Sequence, residues 1–164
     1  VFPCEDALSR GWAVFPVRSR SKVPLTPHGF RDASRDRETV ETWWERWPEA
    51  NVGVPTGRVN GVVVVDVDPR HGGDEWPGLQ QLPRTLTSRT GGGGWHLWFR
   101  LGAGAERVRS RRLAPGIDLK ADGGYVVAPP SVHESGERYE WLDPSAEMAE
   151  APAWLLVLVE SGAR

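Results

Sequence analysis

The sequence predicts an α+β domain with a central, mostly antiparallel sheet flanked by helices. Three observations predict it. Val62, Val63, Val64 and Val65 form a β-branched run that reads as a strand buried on both faces. Short strand-like segments recur around glycine turns, as hairpins do. Helical periodicity appears in few places, between those segments rather than in regular alternation with them. At 164 residues the chain fits one domain, expected over 1–164.

In chain order, residues 5–10 read as a short helix stopped by Gly11, and 12–17 as a strand. Residues 18–37 are rich in Pro, Gly, Ser and Arg and read as a long loop. Residues 38–47 form an amphipathic helix, with Asp36 as its cap and Pro48 just past its end. Val40, Trp43, Trp44 and Trp47 fall on one stripe of it, a core stripe rather than a ligand box. Strands follow at 51–56 and 61–68. Residues 74–82 read as a helix weakened by Pro77 and Gly78. Strands at 84–89 and 95–100 flank four glycines. Further strands are expected at 116–120, 124–128 and 138–141, and a closing helix at 151–160.

The formal net charge of −2 argues against nonspecific, charge-driven binding to DNA. No apolar run approaches the roughly 20 residues of a membrane span, and no signal peptide opens the chain. A single cysteine, Cys4, excludes an internal disulfide and points to a cytoplasmic setting. Two lysines, Lys22 and Lys120, stand against eighteen arginines, so each lysine looks placed; codon bias would give the same skew. Arg107, Arg109, Arg111 and Arg112 form a basic cluster. It reads either as a solvated loop or as a contact to a nucleic-acid backbone.

The chemistry-bearing residues are acids. Residues i and i+2 of a strand share a face, so Asp66 and Asp68 would sit side by side with Val67 turned into the core. Two ionised carboxylates at that spacing repel each other, and a divalent cation with a taste for oxygen, Mg²⁺ or Mn²⁺, would relieve them. A lone Asp-x-Asp is also a common strand end. In 116–120, Asp118 and Lys120 would share a face away from Ile117 and Leu119, as an ion pair or as a metal ligand beside a phosphate contact.

Gly91 to Gly94 let a backbone approach a ligand and aim N–H groups at an anion. The P-loop Lys-Ser or Lys-Thr is absent. In the next strand His96 and Trp98 face away from Trp95, Leu97 and Phe99. His96 is then either a half-buried hairpin histidine or a phosphate donor. His28, His71 and His133 carry less information, and no Cys/His spacing suggests zinc.

Asp66-Val67-Asp68, the glycine turn ending in His96, and Gly116-Ile117-Asp118 resemble, in that order, the archaeo-eukaryotic primase superfamily. The closer resemblance is to the bifunctional DNA primase/polymerase amino-terminal domain of plasmid, phage and mobile-element replication proteins. Gly11-Trp12-Ala13-Val14-Phe15-Pro16, Lys22-Val23-Pro24, Trp43-Trp44, Asn51-Val52-Gly53 and Pro55-Thr56-Gly57 extend it. Asp122-Gly123-Gly124-Tyr125-Val126-Val127-Ala128-Pro129-Pro130-Ser131, then Gly136 and Tyr139-Glu140-Trp141, is its most specific stretch. It covers about 7–141.

The resemblance implies a primase-like fold with an RRM-like catalytic core, and a chain that is a fragment of a longer replication protein. It implies catalytic metals on Asp66, Asp68 and Asp118, and nucleotide phosphates on His96, Lys120, Thr90, Gly93, Gly94 and Lys22. The expected reaction is template-directed nucleotidyl transfer from nucleoside triphosphates along single-stranded DNA with a primer. Any helicase partner lies outside this chain, and no membrane takes part. The family's basic or polar residue near Gly92 is missing, which removes a side-chain contact there. Tyr125 and exposed tryptophans are candidates for stacking on bases. A metal-dependent nuclease and a non-catalytic nucleotide- or single-stranded-DNA-binding module are the alternative readings of the same residues.

Overall fold

The computed structural model describes residues 2–102 and 106–161, so the extreme ends of the expected 1–164 unit lie outside the described residues. The elements run α1 (Glu5–Ser9), β1 (Phe15–Val17), α2 (Arg37–Arg46), β2 (Asn51–Pro55), β3 (Val62–Val67), β4 (Thr87–Arg89), β5 (Trp95–Arg100), β6 (Arg111–Ala114), β7 (Ile117–Lys120), β8 (Tyr125–Ala128), β9 (Glu140–Trp141), β10 (Ala149–Glu150) and α3 (Ala153–Ser161). The larger, seven-stranded sheet has the order β6-β7-β3-β5-β4-β9, with β10 added beside β5; the smaller sheet is β1-β2-β8. Among the described residues all strand ladders are antiparallel except that of β10 with β5.

The four-valine run explains the layering. Successive side chains alternate between faces, so Val62 and Val64 enter one hydrophobic cluster and Val63 and Val65 another. On the first face, Val62, Val64 and Trp98 pack with Val40 and Trp44 of α2 and with Val52, Val54 and Val126 of the smaller sheet. On the second, Val63, Val65, Val67, Ile117 and Leu119 pack with Leu155 of α3. Full burial stabilises each such aliphatic side chain by about 1.5–3 kcal/mol. None of the nine tryptophans is exposed, which removes the expectation that exposed ones stack on bases.

Helix α2 starts where the Asp36 side chain accepts a hydrogen bond from the Thr39 N–H at 3.0 Å. Its stripe buries Val40 and Trp44, with Trp43 and Trp47 packed partly exposed beside them. The Thr39 hydroxyl and N–H, hydrogen-bonded to Asp36, hold that carboxyl below its ordinary value. A depressed folded-state value means the cap's contribution is fully present above the ordinary carboxylate range. It is lost as pH falls through the folded-state value. Urea midpoints measured on descending pH should therefore fall less steeply for Asp36→Ala than for the parent; equal slopes would refute the cap's role.

Three expectations are corrected. Residues 74–82 form no α-helix: Gly73–Glu75 and Pro77–Gln81 are 3₁₀ turns, because Pro77 removes a donor and Gly78 weakens the interior. The strand carrying the acids ends at Val67, and Asp68 instead opens the 3₁₀ turn Pro69–His71. Arg111 and Arg112 lie on an edge strand, β6, rather than in a loop.

Candidate active site

Strand register creates the site. Asp66 of β3 lies opposite His96 of β5 on one side and opposite Asp118 of β7 on the other. Residues directly opposite in a ladder share a face. Three functional side chains from three strands are thereby set in one row at the end of the first face. Lys120 follows two residues after Asp118 on that face, opposite Val64. These four line one polar cavity of about 200 Å³ with Asp68, Thr90, Gly92, Gly94 and Lys22. A neighbouring cavity shares Lys22, Asp66, His96 and Lys120 and is walled by Gly123, Gly124 and Tyr125.

Asp68 reaches the cavity from its turn. Its backbone N–H donates to the Gly116 carbonyl at 2.8 Å, and its own carbonyl accepts from the Gly73 N–H at 2.9 Å. Gly116 has φ of +73°, and a Cβ there would stand 2.4 Å from the Gly73 nitrogen, so only glycine suits this crossing. The Asp68 carboxylate accepts from the Arg70 N–H at 3.0 Å and faces His71 Nδ1 at 2.8 Å.

Charge is balanced unevenly. Burial acts to raise the Asp66 carboxyl. His96, through a 3.5 Å contact of Nε2 with Oδ1, and then Lys120 and Lys22, outweigh it and hold the group below its ordinary value. Asp68 is pushed down to about 2: burial opposes, but hydrogen bonds from Arg70 and His71 prevail. Asp118 pairs with Arg112, Nε to Oδ1 at 3.1 Å. Among the described residues, Lys22 and Lys120 make no ion pair within 4.0 Å. His96 is 6% exposed, and its Nδ1 is buried without a hydrogen-bond partner.

The other expected residues divide. In the glycine turn, the Gly94 N–H donates to Thr90 Oγ1 and the Gly93 N–H to the Thr90 carbonyl, so both donors are spent. Gly93 does not line the cavity; Gly92 does. Tyr125 packs edge-on against Phe15 and donates its hydroxyl to the Lys22 carbonyl at 2.6 Å, which helps to position Lys22. Arg112 lines the cavity, whereas Arg107, Arg109 and Arg111 do not. Arg70, His71, His133 and Tyr139 also line it and were missed as site residues. Arg70 and His71 follow Asp68 closely enough to be suspected, but His133 and Tyr139 arrive by long-range folding without a local signal.

Fold and site together define an α+β domain with a charge-lined cavity at one end of its larger sheet. The chain belongs to the bifunctional DNA primase/polymerase N-terminal domain family, whose model matches residues 5–154. A search of curated proteins returned no match. Among the described residues, no helix is long and apolar enough to cross a membrane.

Proposed function

We propose that this domain is a primase-polymerase: a template-directed nucleotidyltransferase that adds nucleotides from nucleoside triphosphates to a primer on single-stranded DNA. The observation that carries this reading is the register that places His96 and Asp118 on either side of Asp66, in a cavity shared with Asp68. Membership of the family supports it. On this reading the larger sheet holds an RRM-like catalytic core, and the domain is one unit of a longer replication protein.

The donor set fits Mg²⁺ or Mn²⁺. Asp66, Asp68 and Asp118 offer hard oxygen ligands in one cavity, and two of them are cross-strand neighbours that need a countercharge. Among the described residues no group of three or more Asp, Glu, His or Cys side chains is arranged to hold a metal ion as it stands, and Arg70, His71 and Arg112 hold two of the carboxylates. Metal binding on this reading therefore displaces those three partners from the carboxylates. Bound divalent cations would lower the pKa of the attacking hydroxyl and neutralise the leaving pyrophosphate.

The protein's own groups do the rest. The primer 3′-hydroxyl oxygen forms a bond to the α-phosphorus while the bond to the leaving pyrophosphate breaks, and the hydroxyl proton passes to solvent water. Lys120 and Lys22 offset phosphate charge that the carboxylates cannot. His96, whose Nε2 lies 3.5 Å from Asp66 Oδ1, donates a hydrogen bond to a phosphate oxygen of the nucleotide. The arginines of β6 and its approach, Arg107, Arg109, Arg111 and Arg112, guide the template backbone.

Primer extension with a labelled primer, template and Mn²⁺ or Mg²⁺ tests the reading. The parent should lengthen the primer only when nucleoside triphosphates are present, and Asp66→Ala should not. Shortening of the DNA would instead mark a nuclease. Nucleotide binding that survives Asp66→Ala, with no change in primer length by the parent, would mark a binding module.

A further inference from the structure

Beside the acid-lined cavity lies a third cavity of about 300 Å³ that the reaction as described leaves unused. Arg20, Lys22, Arg70 and His133 line it, against a single acid, Glu134. Lys22, Arg70, His133 and Tyr139 line the acid-bearing cavity as well, so the two spaces share a wall. The basic groups come from three separate stretches of chain, which local charge bias in one segment does not explain.

The site is built. A Cβ on Gly91 would fall 2.0 Å from the His133 Cβ, and one on Gly92 would meet the Arg70 guanidinium at 3.3 Å and His133 Nε2 at 3.5 Å. The glycine turn is therefore bare where these two side chains lie over it. His133 is held in place: its Nδ1 accepts from the Ser135 N–H at 3.1 Å, and the Ser135 hydroxyl donates to the Gly91 carbonyl at 2.9 Å. With Nδ1 accepting, the ring proton is on Nε2, which leaves a donor facing the turn. The N–H groups of Gly91 and Gly92 have no acceptor among the described residues. Arg20 has φ of +54°, the one non-glycine with positive φ among the described residues. A side chain kept in that conformation signals a local constraint of the kind that clusters at ligand sites.

We propose that Arg20, Arg70 and His133 bind the terminal, γ-phosphate of a nucleoside triphosphate whose reacting end lies among the acids. This rests on the nucleotidyl-transfer reading for the identity of the ligand. The phosphate belongs either to the incoming nucleotide or to a first nucleotide whose 3′-hydroxyl attacks during initiation.

Calorimetric titration with inorganic tripolyphosphate and with nucleoside tri- and diphosphates tests the site directly. Arg20→Gly is the cleanest variant, since glycine accepts the positive φ and the fold should persist. Arg20→Gly and His133→Ala should each weaken tripolyphosphate and nucleoside triphosphate about tenfold, the scale of one hydrogen bond to a charged group. Nucleoside diphosphate should be nearly unaffected. Unchanged triphosphate binding, or an equal loss for tri- and diphosphate, overturns the proposal. Extension of a 5′-hydroxyl primer suffers a raised KM if the phosphate is the incoming nucleotide's. Dinucleotide synthesis alone suffers if it is the first nucleotide's. A parent that binds tripolyphosphate yet never extends a primer defeats the functional reading only. A parent that extends, with variants that keep their preference for triphosphate, defeats this one only.

Discussion

Asp118→Asn is expected to lower primer extension by about a thousandfold, on the order of the loss when a group that stabilises transition-state charge is removed, without lowering the thermal midpoint. The two halves of this expectation have separate causes. Asp118 lies directly opposite Asp66, and like charges facing each other across a ladder destabilise it. Its ion-pair partner among the described residues, Arg112, has a side chain 70% exposed, where such a pair contributes little. Asparagine keeps the shape and deletes the charge, so the fold gains or stays even. On the proposed reading the substitution removes an anionic metal ligand, and calorimetry with Mn²⁺ should show weaker binding alongside the activity loss. Activity within tenfold of the parent would exclude Asp118 from the metal set. A lowered midpoint would make it a structural residue instead.

What the sequence disclosed about this site followed from local periodicity. Alternation put Asp118 and Lys120 on one face and Ile117 and Leu119 on the other, and the ladder has them so. Alternation likewise separated His96 and Trp98 from Trp95, Leu97 and Phe99. Register was not legible, because it depends on which strands meet. That Asp66 faces both His96 and Asp118 is a property of the sheet order β7-β3-β5, invisible in any one segment. Periodicity carried the strand one residue too far, to Asp68, which lines the cavity with Asp66 all the same. The i, i+2 rule holds only inside a strand, and Pro69 ends this one by opening a 3₁₀ turn. The four-valine run announced a strand buried on both faces, and the face of the acids is indeed continuous with a hydrophobic cluster, with only its end open to the cavity. His133 was unreadable for the plainest reason: its place over Gly91 is set by a contact between loops more than forty residues apart, Ser135 to Gly91.

That continuity between core and site gives the largest stability effect. Trp98 is fully buried, two residues along β5 from His96 and on the same face. Its ring stacks on Trp12 with centroids 4.8 Å apart and planes at 9°, and lies 5.3 Å from Trp141. Its indole N–H donates to the buried Ser88 hydroxyl at 3.0 Å. Trp98→Ala empties the middle of this cluster and strands that hydroxyl, so the domain should lose about 4 kcal/mol, the range for a large aromatic cut to alanine. At about 2–4 °C per kcal/mol for a chain of this size, the midpoint should fall by roughly 10 °C or more. Trp98→Phe keeps most of the stacking surface but not the hydrogen bond and should cost about 1–2 kcal/mol. The ladder of β5 with β3 carries His96 independently of the ring at position 98. Below its melting transition, Trp98→Phe should therefore extend primers at close to the parent rate. Calorimetry and extension assays on both variants decide the matter. A midpoint for Trp98→Ala within a few degrees of the parent would mean that the sheet face is held by contacts other than this cluster.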